Sequence, residues 1–302
     1  MPHARSTRTT AGATTIDAGG RQVHVSHPER VMYPETGTTK ADVIAYYTGV
    51  APALLAQLRD RPVTRVRFPH GVGGERFFEK NVPRGAPGWL RHRLLHAAPG
   101  GPDEGTLVDL PFLDDVAGLV WAANLGVLEL HTPQWTVGPR GGVRRPDRLV
   151  IDLDPGPPAG LAACASVART VAERLRADGL DPRPVTSGSK GLQLYARLDG
   201  RRRAMQVWAY ARDLARELAA ADPDHVVAVM RKELRQDRVF LDWSQNHPAK
   251  TTITPYSLRG RALPTVAAPR TWAELDDPDL RQLSAQEVLA RLDDVGDLLG
   301  AG

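Results

Sequence analysis

Two aspartates one residue apart, Asp152 and Asp154, close an apolar run in LVIDLDPG (149–156). Leu149, Val150 and Ile151 read as a buried strand that Pro155-Gly156 stops. Side chains alternate along a strand, so the two carboxylates share one face while Leu153 points to the core. Carboxylates side by side repel one another unless a cation sits between them. Asp242 ends a second apolar strand, RVFLDW (238–243). Three carboxylates at strand ends suit Mg²⁺ or Mn²⁺, hard cations that take oxygen ligands. Two such ions clamp the attacking and the leaving oxygen of a phosphoryl displacement. Asp-x-Asp pairs also occur in sugar-nucleotide transferases and in plain turns, so spacing alone leaves both readings open.

Three more stretches carry chemistry. TSGSKGLQLY (186–195) puts small residues and two glycines between strands, so that backbone N–H groups approach an anion beside the fixed charge of Lys190. The lysine follows Gly188 by two residues, which is not Walker spacing, and a tight hairpin with a solvent-facing lysine fits as well. RQDRVFLDWSQNHPAKTTITPYSLRG (235–260) surrounds Asp242 with Arg235, Lys250 and Arg259, with Gln245 and Asn246 between. Cations there make sense if a triphosphate is to be neutralised; an ordinary charged surface loop is the alternative. GGERFFEKN (73–81) holds two adjacent phenylalanines, Phe77 and Phe78, in a polar loop. Such aromatics stack on bases or wedge strands apart in nucleic-acid proteins, or one of them is buried under its own loop.

The elements that must position these residues follow from the pattern. Residues 38–60 read as a helix capped by Thr38 or Thr39 and bent near Gly49 and Pro52. PVTRVRF (62–68) alternates like a strand, and 70–88 is a Gly/Pro-rich loop. A short helix near 113–124 leads into a strand at 126–131. After the Asp-x-Asp strand come a helix at 159–178, strands at 183–187 and 191–197, a helix at 203–220 and the Asp242 strand. The tail forms two short helices, with a Ser284–Glu287 capping box. Strands and helices mix without a regular βαβ rhythm, which favours α+β. Residues 1–20 read as a disordered tail, and 21–302 as one catalytic domain with lobes of about 21–125 and 126–302.

Composition bounds the class. The 302 residues are 42% hydrophobic and 25% charged, with a net charge of +4, an ordinary soluble globular balance. No apolar run reaches the roughly 18 residues of a membrane helix, and the N-terminus lacks the apolar centre of a secretory signal, so a cytoplasmic protein is expected. One cysteine, Cys164, excludes an internal disulfide and a cysteine-based zinc site. Only five of the 39 cations are lysines: Lys40, Lys80, Lys190, Lys232 and Lys250. Four of the five fall in the stretches singled out here, and Lys232 lies three residues before another.

Taken in order, YPETGTTKADVIAYY, RFFEKN, LHTPQW, RLVIDLDPG, TSGSKGLQLY, RVFLDWSQN and TTITPYSLRGR closely resemble the polymerase domain of bacterial ligase D, in its actinobacterial form. That family is a branch of the archaeo-eukaryotic primase superfamily, and the resemblance runs from about residue 24 to the C-terminus. It implies mixed and antiparallel sheets flanked by helices, with an RRM-like catalytic core. It also implies template-directed addition of ribonucleotides or deoxyribonucleotides to DNA 3′ ends at double-strand breaks and short gaps, in non-homologous end joining.

Carried over, Asp152, Asp154 and Asp242 are catalytic ligands of two Mn²⁺ or Mg²⁺ ions. The incoming nucleotide is held by His131, Ser187, Gly188, Lys190, Gly191, Gln193, Lys232, Arg235, Gln245 and Arg259. DNA is contacted by His27, Arg30, Lys40, Phe77, Phe78 and Lys80, with Lys40 in a pocket for a 5′-phosphate. His27 and Arg30 stand where relatives tend to have Asn and Lys. At Gln193 relatives commonly have a histidine that faces the nucleotide phosphates, so weakened nucleotide affinity is expected here. The implied partners are gapped or broken DNA, NTP or dNTP, Ku and an ATP-dependent DNA ligase, with the protein at the nucleoid. The chain shows no Lys-x-Asp-Gly ligase motif, so a stand-alone polymerase and one part of a larger ligase both fit. A primase-polymerase of another repair pathway and a non-catalytic end-bridging module are the rival functions.

Overall fold

The Asp-x-Asp segment is the strand Arg148–Pro155, third in a six-stranded sheet of the computed structural model, which describes residues 6–10 and 12–300. The sheet order is Val226–Val227, Val239–Asp242, Arg148–Pro155, Leu192–Arg197, Arg183–Thr186, Ala268–Pro269. Every pairing is antiparallel except the first. Along the chain, Arg148–Pro155 leads to helix Leu161–Ala177, and Arg183–Thr186 and Leu192–Arg197 to helix Ala204–Ala221, ahead of Val239–Asp242. This is a βαββαβ unit whose four strands lie in the order fourth, first, third, second, the RRM-like core that the resemblance implied.

Alternation divides the two faces of this sheet. Leu149, Ile151 and Leu153 join Leu192, Leu194, Ala196 and Leu241 in a core beneath the two helices. Cys164 is a buried part of that core, and burial pushes its thiol up to about 12, as expected of a packing residue. Arg148, Val150, Asp152 and Asp154 therefore emerge on the opposite face. There Val150, Val185 and Tyr195 pack against Ile253 and Ala267. Ile253 belongs to a second, antiparallel sheet ordered Thr252–Ile253, Val127–Thr132, Thr64–Arg67, Phe77–Glu79.

The second sheet is backed by helices Lys40–Gly49, Ala51–Leu58 and Val116–Asn124. The expected single helix over 38–60 is two, joined at Val50, with Pro52 in the first turn of the second. Thr39 is the N-cap and forms a capping box with Asp42. The Ser284–Glu287 box also forms, starting helix Ala285–Val295.

Two expectations are corrected. The tail over 1–20 is not disordered in its described part: Ser6–Thr10, Ala13–Asp17 and Gln22–Ser26 form a three-stranded antiparallel sheet. Gly19 and Gly20 both have positive φ and turn the second strand into the third, and β-branched Thr14, Thr15 and Ile16 suit the pairing. A Ser/Thr/Gly-rich composition hides such a hairpin. The lobe boundary near residue 125 also fails. Val127, Leu128 and Leu130 pack in the N-terminal core, as do Tyr256, Leu258, Val266, Ala268 and Val288. Pairing of Val127–Thr132 with Thr64–Arg67 on one side and Thr252–Ile253 on the other draws the later segment back to that core.

Candidate active site

Strand register brings the carboxylates together. Asp152 lies opposite Asp242 on one neighbouring strand and opposite Gln193 on the other, so the three stand abreast on the face away from the helices. Asp154 follows on the same face. Ligand oxygens of Asp152, Asp154 and Asp242 all lie within 4.8 Å of one another. Burial, then the charges of Asp154 and Asp242, hold the Asp152 carboxyl well above the usual carboxylate range. Asp154 is raised by burial and then by Asp242.

These residues fit a hard divalent cation. Among the described residues no lysine or arginine forms an ion pair with any of the three, and Asp154 accepts no hydrogen bond. Their neighbours orient the carboxylates without neutralising them. Gln193 Nε2 donates to Asp152 Oδ1 at 3.1 Å, and Gln193 Oε1 lies 3.1 Å from the Tyr195 hydroxyl. Asp242 Oδ1 accepts from the Ser244 amide at 3.0 Å and from the Ser244 hydroxyl, and Oδ2 accepts from Gln245 Nε2 at 2.9 Å. Lys250 Nζ donates to the Ser244 hydroxyl, one step behind the carboxylate. The all-oxygen donor set and its uncancelled repulsion are what a Mg²⁺ or Mn²⁺ site requires.

Gln193 and Gln245 therefore hold metal-type carboxylates in this structure, whereas the resemblance placed them on the nucleotide. Gln193 is buried, pinned between Tyr195 and Asp152, because its strand position faces Asp152 across the ladder.

The glycine-rich loop closes against the same strand. A Cβ on Gly191 would lie 2.1 Å from the Leu153 carbonyl, so only glycine allows this approach. The Ser187 hydroxyl accepts from the Ser189 and Gly191 amides, each at 3.2 Å, and the Gly188 amide donates to Gln282 Oε1 at 2.6 Å. Gln282 Nε2 returns to the Gly191 carbonyl at 3.0 Å. The Gly188 and Gly191 amides expected to cradle phosphates are thus engaged by the protein, and Lys190 is left exposed as the loop's charge. Gln282 lies far along the chain in a segment with no motif, which is why sequence reasoning missed it.

Arg259 and His131 meet through Glu129. Glu129 Oε1 lies 3.4 Å from Arg259 Nε and accepts the Gly260 amide at 2.9 Å, and Oε2 is 2.8 Å from His131 Nε2. Burial raises the Glu129 carboxyl, but the His131 contact and the Arg259 charge outweigh it and bring it to about 2. Glu129 was missed, although alternation in LELH already put it on one face with His131. Arg259 also packs on Gly188, and its charge reaches Asp152 and Asp154. On the other side, the Arg235 carbonyl approaches so closely that a Cβ on Gly156 would lie 1.7 Å from it, and the Arg235 charge lowers Asp154. Arg235 also stacks on Phe240, 3.7 Å from its ring centre. Lys232 is exposed in the same 3₁₀ turn, Lys232–Arg235, and makes no contact with the carboxylates.

The phenylalanine pair lies in a strand, Phe77–Glu79, within the expected loop. Phe77 and Phe78 are 40% and 59% exposed, so neither is buried beneath it, and Phe78 meets His131 edge-on at 6.3 Å. Behind them, Glu79 pairs with Arg67 at 2.6 Å and with the fully buried Arg65 at 3.6 Å. Lys80 points elsewhere, into an ion pair with Asp103. His27, Arg30 and Lys40 gather at the start of helix Lys40–Gly49: the Lys40 amide donates to the Arg30 carbonyl at 2.8 Å, and Lys40 Nζ to the Ser26 carbonyl at 2.6 Å. Burial and then the Arg30 charge pull Lys40 down to about 8.

Comparison with known proteins agrees with this geometry. The family described as LigD, primase-polymerase domain, matches residues 39–299. The multifunctional non-homologous end joining DNA repair protein LigD of Mycobacterium tuberculosis is 48% identical over 288 residues, covering 93% of this chain and 37% of that protein. LigD of Pseudomonas aeruginosa is 32% identical over 292 residues, covering 95% and 33%. The chain thus spans little more than a third of the relatives it matches. The solved polymerase domain of M. tuberculosis ligase D, in complex with DNA, superposes with a TM-score of 0.87 at 47% identity, covering 92% of this chain and 96% of that one. The chain belongs to the LigD primase-polymerase family.

Proposed function

We propose that this member of the LigD primase-polymerase family is a template-directed nucleotidyltransferase that extends DNA 3′ ends at breaks and short 5′-phosphorylated gaps. The observation that carries the reading is the trio Asp152, Asp154 and Asp242, gathered on one face of an RRM-like sheet within the field of Arg259 and Arg235. Residues 21–302 act as one catalytic domain.

The three aspartates would hold two Mn²⁺ or Mg²⁺ ions. Bound there, the ions supply neutralisation of the triphosphate and activation of the primer hydroxyl. Gln193 aims Asp152, and Ser244 and Gln245 aim Asp242, so the ligand oxygens are fixed before any substrate arrives. Lys190, Arg235 and Arg259 then bind the triphosphate by charge-assisted contacts, with Ser187 shaping the loop and Lys232 at its approach. Glu129 fixes His131 through one oxygen, and its negative charge holds Arg259 in place.

Phe77 and Phe78 offer exposed rings for a template base, and Lys40 with Arg30 and His27 forms the 5′-phosphate pocket. Ku and an ATP-dependent ligase are the expected partners, in the cytoplasm at the nucleoid; among the described residues no helix is long and apolar enough to cross a membrane. The test is extension of a gapped, 5′-phosphorylated duplex with Mn²⁺ and ribonucleotides, set against an unprimed single strand. Extension of the gap alone supports the proposal. Activity on the unprimed strand points to a primase, and DNA binding without extension to a bridging module.

A further inference from the structure

The aspartate face of the catalytic sheet has a second end. Arg148, four residues before Asp152, lies on the same face and opposite Arg197 on the neighbouring strand. Between the two ends, Val150 and Tyr195 pack on Ile253. Beyond Tyr195 the catalytic sheet, the end of helix Ala51–Leu58 with the turn after it, and the segment Asp297–Gly300 line a cleft of about 730 Å³. Six arginines and four aspartates line it.

Most of the charges lining the cleft are matched. Arg183 pairs with Asp181 at 2.7 Å, Arg144 with Asp60 at 3.8 Å, and Arg61 with Asp147. Asp297 is taken by the Tyr256 hydroxyl and the Leu299 amide. Arg148 at the base is different. It is only 7% exposed, and among the described residues it has no carboxylate partner. Its Nε donates to Gln134 Oε1 at 3.0 Å, its Nη2 to Thr132 Oγ1 at 2.8 Å, and its ring neighbour is Tyr195 at 5.5 Å. Nη1 meets no acceptor among the described residues. Burial and then the charge of Arg61 pull this guanidinium down to about 9. Two buried guanidiniums, Arg148 and Arg61, thus share the one carboxylate of Asp147, which pairs with Arg61, and a further anion entering the cleft would relieve their remaining repulsion.

We propose that this cleft is a second anion site, separate from the aspartate site, that binds an oligophosphate through Arg148 and Arg61 at its base and Arg59 and Arg183 at its rim. Guanidinium forks match phosphate oxygens in pairs, and the volume falls in the range of small-molecule sites. The base arginines are sunk below the rim, within reach of a small phosphate and beyond the backbone of a straight duplex. The ligand is a free oligophosphate or the phosphate chain of a nucleotide. The inference stands whether or not the chain is a polymerase.

The test is calorimetric titration of the whole protein with inorganic tripolyphosphate in EDTA, which leaves the aspartate site without metal. One-to-one binding is expected, weakened at least tenfold by Arg148→Gln, several-fold by the double variant Arg59→Ala/Arg183→Ala, and unchanged by Lys190→Ala. If Arg148→Gln does not fold, the exposed rim double variant carries the test alone. A parallel titration with ATP separates the sources: equal affinity marks a free oligophosphate, and tighter binding marks a nucleotide. No saturable binding by the wild type overturns the proposal, as does binding lost in Lys190→Ala but kept in the cleft variants. So does a rim double variant that loses affinity for duplex DNA while its tripolyphosphate affinity is unchanged.

Discussion

Replacing Asp152 with Asn should make the metal-free protein more stable while ending extension. The magnitude follows from the trio's geometry. Ligand oxygens no more than 4.8 Å apart repel, as unit charges at an effective dielectric of about 20, by about 3.5 kcal/mol for each ionised pair. Burial and that repulsion together favour the protonated form of Asp152. Holding a proton at pH 7 against an unfolded pKa of about 3.9 costs about 4 kcal/mol, falling to about 1.5 kcal/mol at pH 5. Ionised, Asp152 would face both Asp154 and Asp242, about 7 kcal/mol, so the smaller cost of the proton bounds the gain: Asn should gain up to about 4 kcal/mol at pH 7 and no more than about 1.5 kcal/mol at pH 5.

The sign is that of a carboxyl raised by folding. Over the range where the native carboxyl keeps a proton that the unfolded chain has lost, wild-type stability falls as pH rises. Asn Oδ1 still accepts the Gln193 hydrogen bond, so little else changes. Urea unfolding in EDTA at pH 5, 6 and 7 measures the gain. Adding Mn²⁺ should cancel most of that gain at pH 7, since an ion at 100 times its Kd stabilises the wild type by about 2.7 kcal/mol and the variant far less. A variant less stable than wild type in EDTA, or a gain independent of pH, would refute the account of the site.

Three further outcomes test other parts. Lys40→Ala should remove the preference for 5′-phosphorylated gaps, a loss of about 1.5–3 kcal/mol in competition binding; because Lys40 titrates at about 8, wild-type preference should itself weaken between pH 7 and 9, and equal losses on phosphorylated and unphosphorylated gaps would place Lys40 elsewhere. Gln193→Leu removes the donor to Asp152 and should raise the Mn²⁺ concentration for half-maximal extension by roughly 5–10-fold, about 1–1.4 kcal/mol, with nucleotide KM at saturating metal nearly unchanged; a KM effect alone would return Gln193 to the phosphates. Phe78→Ala should weaken primer-template binding by about 1–3 kcal/mol with thermal stability retained, because the ring is 59% exposed; unfolding of the variant would mean the ring is structural.

The carboxylate trio was legible because its logic is local: period-two alternation put Asp152 and Asp154 on one face, and an apolar run ending in Asp242 marked a matching strand. What could not be read was pairing. Nothing in TSGSKGLQLY says that Gln193 stands across from Asp152, because that depends on the order of strands in the sheet. The resemblance gave Gln193 to the phosphates; on the ladder, its side chain donates to Asp152. The same limit hid Gln282, which clamps the glycine loop from 91 residues beyond Gly191, and the hairpin within residues 1–20, whose composition resembles a linker until its strands find partners.

Pairing also explains why one strand serves two ends of the molecule. On Arg148–Pro155, a single alternation aligns Arg148, Val150, Asp152 and Asp154, so the strand that gathers negative charge at one mouth of the inter-sheet layer gathers positive charge at the other. Tyr195 stands between, its ring on Arg148 and its hydroxyl 3.1 Å from Gln193 Oε1. Two mouths of opposite charge, linked by one tyrosine and one glutamine, are a property of register. They are available only to a chain whose strands have already taken the fourth, first, third, second order, and no window of sequence shorter than the whole βαββαβ unit contains them.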